Sequence, residues 1–277
     1  MPLRLVTAGE SHGPRLTAIL EGIPAGLSID PVFVDRELAR RQHGYGRGGR
    51  MKIEKDHAVF EGGVRGGVTL GSPIAIGIEN RDFANWSNVM NPLENDPEEA
   101  ARRRLTRPRP GHADLAGGMK FGARDLRDVL ERASARESAA RVAAGAVCKL
   151  LLRECGIEVR SGVLSLGAVV DESSPRSFEA LEGVREDSPL RALDAALEKK
   201  MVAAVDAAKR DGDTLGGSIL VETVYNWPGS GGLMNLAIFR RDVPTLSATV
   251  LVIAAIFVLI NVVVDVLQAV IDPRIRR

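Results

Sequence analysis

Hydrophobic and polar positions follow two different periods along most of the chain. Strand-like apolar runs bounded by glycine or proline lie at 3–8, 15–23, 58–64, 68–78 and 157–170. Apolar residues spaced three and four apart indicate helices at 31–42, 137–155 and 189–210, the first of them capped by Asp30 with Pro31 following. Residues 80–111 are predicted to be mostly irregular, with a short helix at 98–104, and 216–224 to be a strand or an extended link. This alternation predicts an α/β or α+β fold.

The pattern changes near the end of the chain. Residues 243–264 contain no charged side chain over 22 positions. As a helix they would extend about 33 Å, which exceeds the roughly 30 Å hydrocarbon core of a bilayer. A helix that is apolar on every face would otherwise need protein all round it. We therefore predict one hydrophobic, transmembrane helix at about 243–271.

Composition and charge narrow the class of protein. The 277 residues carry 37 Lys and Arg against 36 Asp and Glu, a net charge of +1, with 45% hydrophobic residues. These values indicate a folded protein and give no overall field that would attract nucleic acid. Cys148 and Cys155 fit neither a disulfide framework nor a metal site, which predicts two buried thiols in a reducing compartment and no metal.

The first candidate for chemistry is the glycine-bounded loop at 9–13, which follows a predicted strand. Its His12 could donate a proton to a leaving group near neutral pH. Taken alone, a surface loop with an ordinary histidine is the more common explanation of this pattern.

Two further segments combine arginine with glycine or proline. Residues 36–52 interleave arginines with four glycines, and residues 102–112 repeat the theme and end at His112. Guanidinium groups bind phosphate and carboxylate, and glycine lets the backbone approach an anion. Nucleic acid is the competing ligand, but Tyr45 is the one aromatic residue in the two segments, so a base-stacking platform is lacking.

A third segment, 131–138, is predicted to open the alanine-rich helix. A helix start with small residues, serines and flanking arginines suits a phosphate or the polar edge of a flavin. The simpler alternative is that Ser134 or Ser138 only caps the helix.

These segments together resemble the chorismate synthase family. The motifs that carry the resemblance, in family order, are Gly-Glu-Ser-His-Gly at 9–13 with Glu-Gly-Ile-Pro at 21–24, Arg-Arg-Gln-His-Gly-Tyr-Gly-Arg-Gly at 40–48, Arg-Pro-Arg-Pro-Gly-His-Ala-Asp at 107–114, Glu-Arg-Ala-Ser-Ala-Arg-Glu at 131–137 and Asp-Gly-Asp-Thr-Leu-Gly-Gly at 211–217. The resemblance covers about residues 1–217. It implies an α/β fold that forms part of the family's β-α-β sandwich.

The resemblance also implies a reaction and its residues. The family's lyase eliminates phosphate from 5-enolpyruvylshikimate 3-phosphate to give chorismate, using reduced FMN, with NADPH as a reductant in some members. Carried over by motif, His12 would protonate the departing phosphate and His112 the flavin. Arg41 and Arg47 would lie at the substrate and nicotinamide site, while Arg132, Ala133 and Ser134 would contact FMN. The family also implies a cytoplasmic homotetramer that binds no nucleic acid.

The remaining residues resemble a different family. Residues 216–229, the Arg241-Asp242-Val243-Pro244 segment and the tail at 261–276 are similar to the last loop, helix and tail of oligopeptide and dipeptide ABC transporter permeases. We therefore predict a chorismate synthase-like region at 1–215 and a permease-like segment at 216–277, whose helix would contact the inner or plasma membrane. The alternative to an active enzyme is an inactive chimera of the two.

Overall fold

The computed structural model describes residues 2–46, 53–109, 112–171, 181–212, 215 and 217–223. These residues form two compact units, one ending at Glu158 and the other beginning at Val159. Each unit combines helices with antiparallel sheet, which confirms the predicted mixed α/β class. The predicted boundary at residue 215 stays a prediction.

The predicted membrane helix at 243–271 lies outside the described residues. Within the ranges that the structure describes, no helix has both the length and the apolar character needed to cross a bilayer.

The first unit is built on a four-stranded antiparallel sheet with the order β1-β2-β6-β3. Its strands are β1 (Arg4–Ala8), β2 (Arg15–Glu21), β3 (Val59–Gly62), β4 (Val64–Arg65), β5 (Val68–Thr69) and β6 (Ile74–Glu79), of which β4 and β5 form a separate ribbon. Its helices are α1 (Pro31–Gln42), α2 (Ser87–Met90), α3 (Pro97–Arg102), α4 (Asp114–Phe121), α5 (Arg127–Ala133) and α6 (Ser138–Glu154), with short 3₁₀ helices at Arg81–Asn85 and Ala135–Glu137.

The core of this unit lies between the sheet and the alanine-rich helix α6. Alternate residues of β2 are buried on one face, and alanines of α6 such as Ala139 and Ala143 are fully buried against it. Small side chains let the helix axis approach the sheet closely, and α1 then packs on α6. The start of α1 is the predicted one, because the side chain of Asp30 accepts a hydrogen bond from Phe33 N at 3.1 Å.

The second unit contains a three-stranded antiparallel sheet in the order β8-β7-β9, formed by β7 (Val159–Leu166), β8 (Val169–Val170) and β9 (Gly217–Thr223). Its helix α7 (Ala195–Asp211) is capped at its start by Asp194, whose side chain accepts a hydrogen bond from Leu197 N at 2.7 Å. The strand β9 begins two residues after the predicted boundary and pairs with β7 from Leu166 to Val159.

Two local expectations are wrong. Within 80–109 the short helix predicted at 98–104 is present as α3, but the 3₁₀ helix at Arg81–Asn85 and α2 were not expected. The carboxylate of the distant, buried Glu54 accepts the backbone N–H groups of Arg81 and Asp82 and so caps that 3₁₀ helix. This capping is not visible in the local pattern. The two cysteines were predicted to be buried. Cys148 is partly buried, and this burial raises the pKa of its thiol. Cys155 is exposed, directly after the end of α6.

Candidate active site

The loop that carries His12 joins β1 to β2 and is held from several sides. At its start Gly9 has φ +103°, and a Cβ atom there would lie 2.4 Å from the carbonyl oxygen of Arg15. The side-chain amide of Asn80 donates to the carbonyl oxygens of Glu10 and Gly13 at 3.1 and 2.8 Å. The loop therefore has one well-defined shape, and it requires glycine at its first position.

Replacing Gly9 with alanine is expected to destabilise the first unit by about 1–3 kcal/mol more than the same change at Gly26. Gly26 has φ +91° but open space where a Cβ atom would lie, so its alanine variant carries the backbone strain without the clash. Equilibrium urea unfolding of both variants measures the difference. Equal losses would show that the β1–β2 loop yields to the added methyl group.

The imidazole of His12 is fixed by a buried carboxylate. Its Nδ1 lies 2.8 and 2.9 Å from the two carboxylate oxygens of Glu131, and its own backbone N–H donates to Glu131 Oε2 at 2.8 Å. The other ring nitrogen, Nε2, lies 3.8 Å from Asp82 Oδ2. The His12 side chain remains 17% exposed whereas that of Glu131 is fully buried. His12 is thus accessible and oriented, as an acid or base must be.

Aromatic and basic side chains surround this histidine. The ring of Trp86 lies 4.2 Å from the His12 ring, centroid to centroid, with a tilt of 31°. The guanidinium groups of Arg103 and Arg127 lie 4.1 and 5.0 Å from the Trp86 ring centroid. Arg127 also pairs with Glu131 at 3.2 Å. Two cations beside an oriented histidine give this region the chemistry needed to hold an anion and protonate it.

The buried residue Arg136 ties the neighbouring segments together. Its guanidinium donates to Asn80 Oδ1 at 2.8 Å and to the carbonyl oxygen of Glu79 at 3.2 Å, and it pairs with Asp56 and Glu54. The side chain is 2% exposed and both acids are fully buried. Arg136 was part of a predicted motif, but its role here is to link β6, the 9–13 loop and the start of α6.

The predicted segment 131–138 does not simply open α6. Glu131, Arg132 and Ala133 form the last turn of α5, and Ser134 caps the following 3₁₀ helix by accepting a hydrogen bond from Arg136 N at 3.3 Å. The expectation of one continuous helix start is wrong because a short helix precedes it. Ser134 does act as a cap, but of this 3₁₀ helix and not of α6, whose own N-cap is Glu137.

The predicted flavin-contacting residues lie beside the end of β1. Arg132 donates to the carbonyl oxygen and the hydroxyl of Thr7 at 2.9 and 2.7 Å and remains 42% exposed. Ala133 is exposed and Ser134 is partly exposed. Glu137 joins the group by accepting the Thr7 hydroxyl at 2.6 Å. The structure therefore brings this segment and the strand that leads to His12 together.

Arg41, predicted to contact substrate or cofactor, is largely enclosed by protein. It is 8% exposed, its Nε donates to Ser138 Oγ at 3.0 Å, and its Nη2 donates to the carbonyl oxygen of Ala135 at 3.3 Å. The end of α1 is in this way fastened to the start of α6. Arg47, predicted to act with it, lies outside the described residues.

His112 is exposed and lies two residues before α4. Asp114, the first residue of α4, is buried and accepts two side-chain hydrogen bonds from Arg109, at 2.8 and 3.0 Å. The hydrogen bond from Arg109 lowers the pKa of Asp114 to about 2 from 3.8. The same bond, and to a smaller extent the charge of Glu131, raises the pKa of Arg109. The start of α4 is thus tied to Arg109, while His112 is exposed.

This pair predicts a pH dependence of stability. Because the pKa of Asp114 is lower in the folded protein than the ordinary 3.8, its stabilising effect is present above about pH 4 and is lost as the pH falls through about 2. Replacing Asp114 with asparagine is expected to remove that part of the pH profile, measured by urea unfolding between pH 7 and pH 2. Asp128→Asn is the control of opposite sign, because burial and the neighbouring Asp125 and Glu131 raise the pKa of Asp128. A pH-independent difference between wild type and Asp114→Asn would contradict the prediction.

Four residues of this site were not singled out by the sequence patterns: Asp82, Trp86, Arg127 and, in its actual role, Glu131. Glu131 stood in a motif, but nothing local indicated that it contacts His12 across 119 positions. Among the residues that the structure describes, no group of three or more His, Cys, Asp or Glu side chains could hold a metal ion.

Comparison with known proteins identifies relatives over most of the chain. The family model described as chorismate synthase matches residues 3–258, and so extends beyond the predicted boundary at 215. The chain is 54% identical over 231 residues to a chorismate synthase of Geobacillus thermodenitrificans, covering 82% of this chain and 60% of the relative. It is 52% identical over 222 residues to one of Shouchella clausii, covering 79% and 57%.

A solved structure gives the same result. A crystal structure of a chorismate synthase matches with a TM-score of 0.63 and 42% identity, covering 80% of this chain and 58% of that one. The chain therefore spans about 60% of the length of the curated relatives it matches.

Proposed function

Because the chain belongs to the chorismate synthase family, we propose that it catalyses the 1,4-elimination of phosphate from 5-enolpyruvylshikimate 3-phosphate to give chorismate. In this reaction a carbon–oxygen bond to phosphate breaks and a proton leaves the ring of the substrate. The proposal goes beyond family membership, since the relatives are considerably longer than this chain.

The observation that carries the proposal is the arrangement around His12. A partly exposed imidazole lies against a buried carboxylate, with Arg103 and Arg127 nearby. A substrate with one phosphate and two carboxylates needs several cations, and a departing phosphate needs an acid. His12 would donate its proton from Nε2, the ring nitrogen that lies away from Glu131, to the leaving phosphate oxygen.

The residues near Thr7 fit the polar edge of a flavin. After its hydrogen bonds to Thr7, the Arg132 guanidinium is still 42% exposed, and the small side chain of Ala133 beside it is exposed as well. Arg132, Ala133 and Ser134 would hold reduced FMN, with NADPH as a reductant that Arg47 would help to bind. The enclosed Arg41 would instead keep the end of α1 on the start of α6. When bound, reduced FMN would donate an electron to the substrate transiently and recover it within the same turnover, so that the elimination involves no net redox change. His112, which is exposed, would supply a proton to it.

The second candidate is an inactive chimera. It is favoured by the comparison with the relatives, in which 18% of this chain has no matching counterpart (100% minus the 82% covered). In this reading residues 216–277 derive from an ABC permease and their apolar helix contacts the inner or plasma membrane. If the chain is instead an active enzyme, we expect it to lie in the cytoplasm and to form the family's homotetramer.

Turnover by the full chain separates the two candidates. We would purify the chain in detergent and measure anaerobic conversion of 5-enolpyruvylshikimate 3-phosphate with chemically reduced FMN, beside an intact chorismate synthase. Turnover with stoichiometric FMN is the result expected of the enzyme. Folded protein that neither binds FMN nor forms chorismate would establish the chimera.

A further inference from the structure

We infer that Glu131 is a positioning residue that fixes the tautomer of His12, so that Nδ1 always carries a proton and Nε2 is the nitrogen that exchanges one with the substrate. The inference rests on the proposed function for its kinetic part, but the tautomer itself can be measured without it.

The charge of Glu131 identifies the donor in its hydrogen bond with His12. Burial by itself raises the pKa of Glu131, but the hydrogen bonds and charge of His12 and the charge of Arg127 outweigh burial, and the net shift is downward. Glu131 is therefore ionised at neutral pH. An ionised carboxylate can only accept hydrogen bonds, so Nδ1 of His12 must be the donor in this contact.

The two ring nitrogens of His12 lie at different distances from the nearest carboxylate oxygens. Nδ1 lies 2.8 and 2.9 Å from the oxygens of Glu131, which are hydrogen-bond distances. Nε2 lies 3.8 Å from Asp82 Oδ2, which is too far for one. Of the two carboxylates near the ring, that of Glu131 is therefore the one within hydrogen-bond distance.

Glu131 also fixes the direction in which the His12 ring points. Glu131 accepts the backbone N–H of His12 at 2.8 Å through its side chain and that of Ser11 at 3.0 Å through its backbone oxygen. Arg127, one helical turn earlier on α5, pairs with the carboxylate at 3.2 Å. The last turn of α5 thus holds the loop that carries His12 and the direction of its imidazole ring. Glu131 therefore positions the histidine as well as pairing with Arg127.

The direct test is ¹⁵N NMR of the full chain with labelled histidine, with the His12 signals assigned by their loss in a His12→Gln variant. Above the titration of the ring we expect a protonated Nδ1 and an unprotonated Nε2. Finding the proton on Nε2 in the wild-type protein would overturn the inference, and this arm needs no Glu131 variant to fold.

Variants then identify Glu131 as the cause. In Glu131→Met, which keeps the length of the side chain but has no acceptor, we expect the proton to shift toward Nε2. In Glu131→Gln, whose carboxamide oxygen can still accept from Nδ1, the native tautomer should persist. Asp128→Met is the matched control, because it removes a carboxylate from the same helix, α5. An unchanged tautomer in folded Glu131→Met would also overturn the inference.

The kinetic arm shows what the tautomer does. We expect kcat to fall about 10²-fold in Glu131→Met, the lower end of what a positioned acid contributes, with KM changed much less and with Glu131→Gln restoring most of kcat. A Glu131→Met enzyme with wild-type kcat would contradict the role. If the wild-type chain itself fails to turn over, the proposed function fails, while the NMR arms still decide the tautomer.

Discussion

Replacing Arg136 with methionine is expected to lower the free energy of unfolding of the first unit by about 3–5 kcal/mol. The guanidinium is buried and pairs with the buried acids Glu54 and Asp56. Without it the buried Glu54 loses its pairing with Arg136, Asp56 keeps the 3.8 Å pairing with Arg41, and the Asn80 side chain loses a donor at 2.8 Å. Such a loss is a large part of the stability of an ordinary domain.

Equilibrium urea unfolding, followed by circular dichroism, measures this loss. Arg141→Met is the matched control, because Arg141 pairs with Glu137 at 2.8 Å but is 63% exposed, and little or no change is expected. Arg136→Met combined with Asp56→Asn should recover part of the stability, since one of the two buried negative charges is gone. If both arginine variants unfold at the same urea concentration, the buried network does not hold the unit together.

Replacing His12 or His112 with alanine is expected to lower anaerobic turnover by about 10²-fold or more in a chain that is active. Each variant removes a proposed proton donor, His12 at the departing phosphate and His112 at the flavin. The measurement is the rate of chorismate formation with reduced FMN at saturating substrate.

His57→Ala is the control for the histidine variants. His57 is 66% exposed and pairs with Asp35 of α1. It should turn over at the wild-type rate. Wild-type rates in the His12 and His112 variants would remove the proposed roles.

Local signals predicted the elements that local chemistry stabilises. The cap at Asp30 followed by Pro31 fixed the start of α1, and the three-and-four spacing of alanines located α6. Both depend on residues within a few positions of one another, so the pattern along the chain contains them.

Contacts between distant residues were not predicted for the same physical reason. The 3₁₀ helix at 81–85 is capped by Glu54, and the pairing of His12 with Glu131 joins positions 119 apart. The motif at 131–137 suggested a helix start for an anion, but its first residue turns inward to meet the histidine. The contact between His12 and Glu131 can be seen only in the tertiary structure, because neither residue belongs to a periodic pattern that would indicate the other.

The separation between His12 and Glu131 also sets the order of events during synthesis of the protein. A ribosome that adds about 5–20 residues per second needs about 6–24 s to translate the 119 positions between them. Throughout that interval the β1–β2 loop is already made but lacks the carboxylate that orients its imidazole. His12 can therefore acquire the orientation seen in the folded protein only after α5 has left the ribosome, so nascent chains that end before α5 contain the histidine without the contact to Glu131.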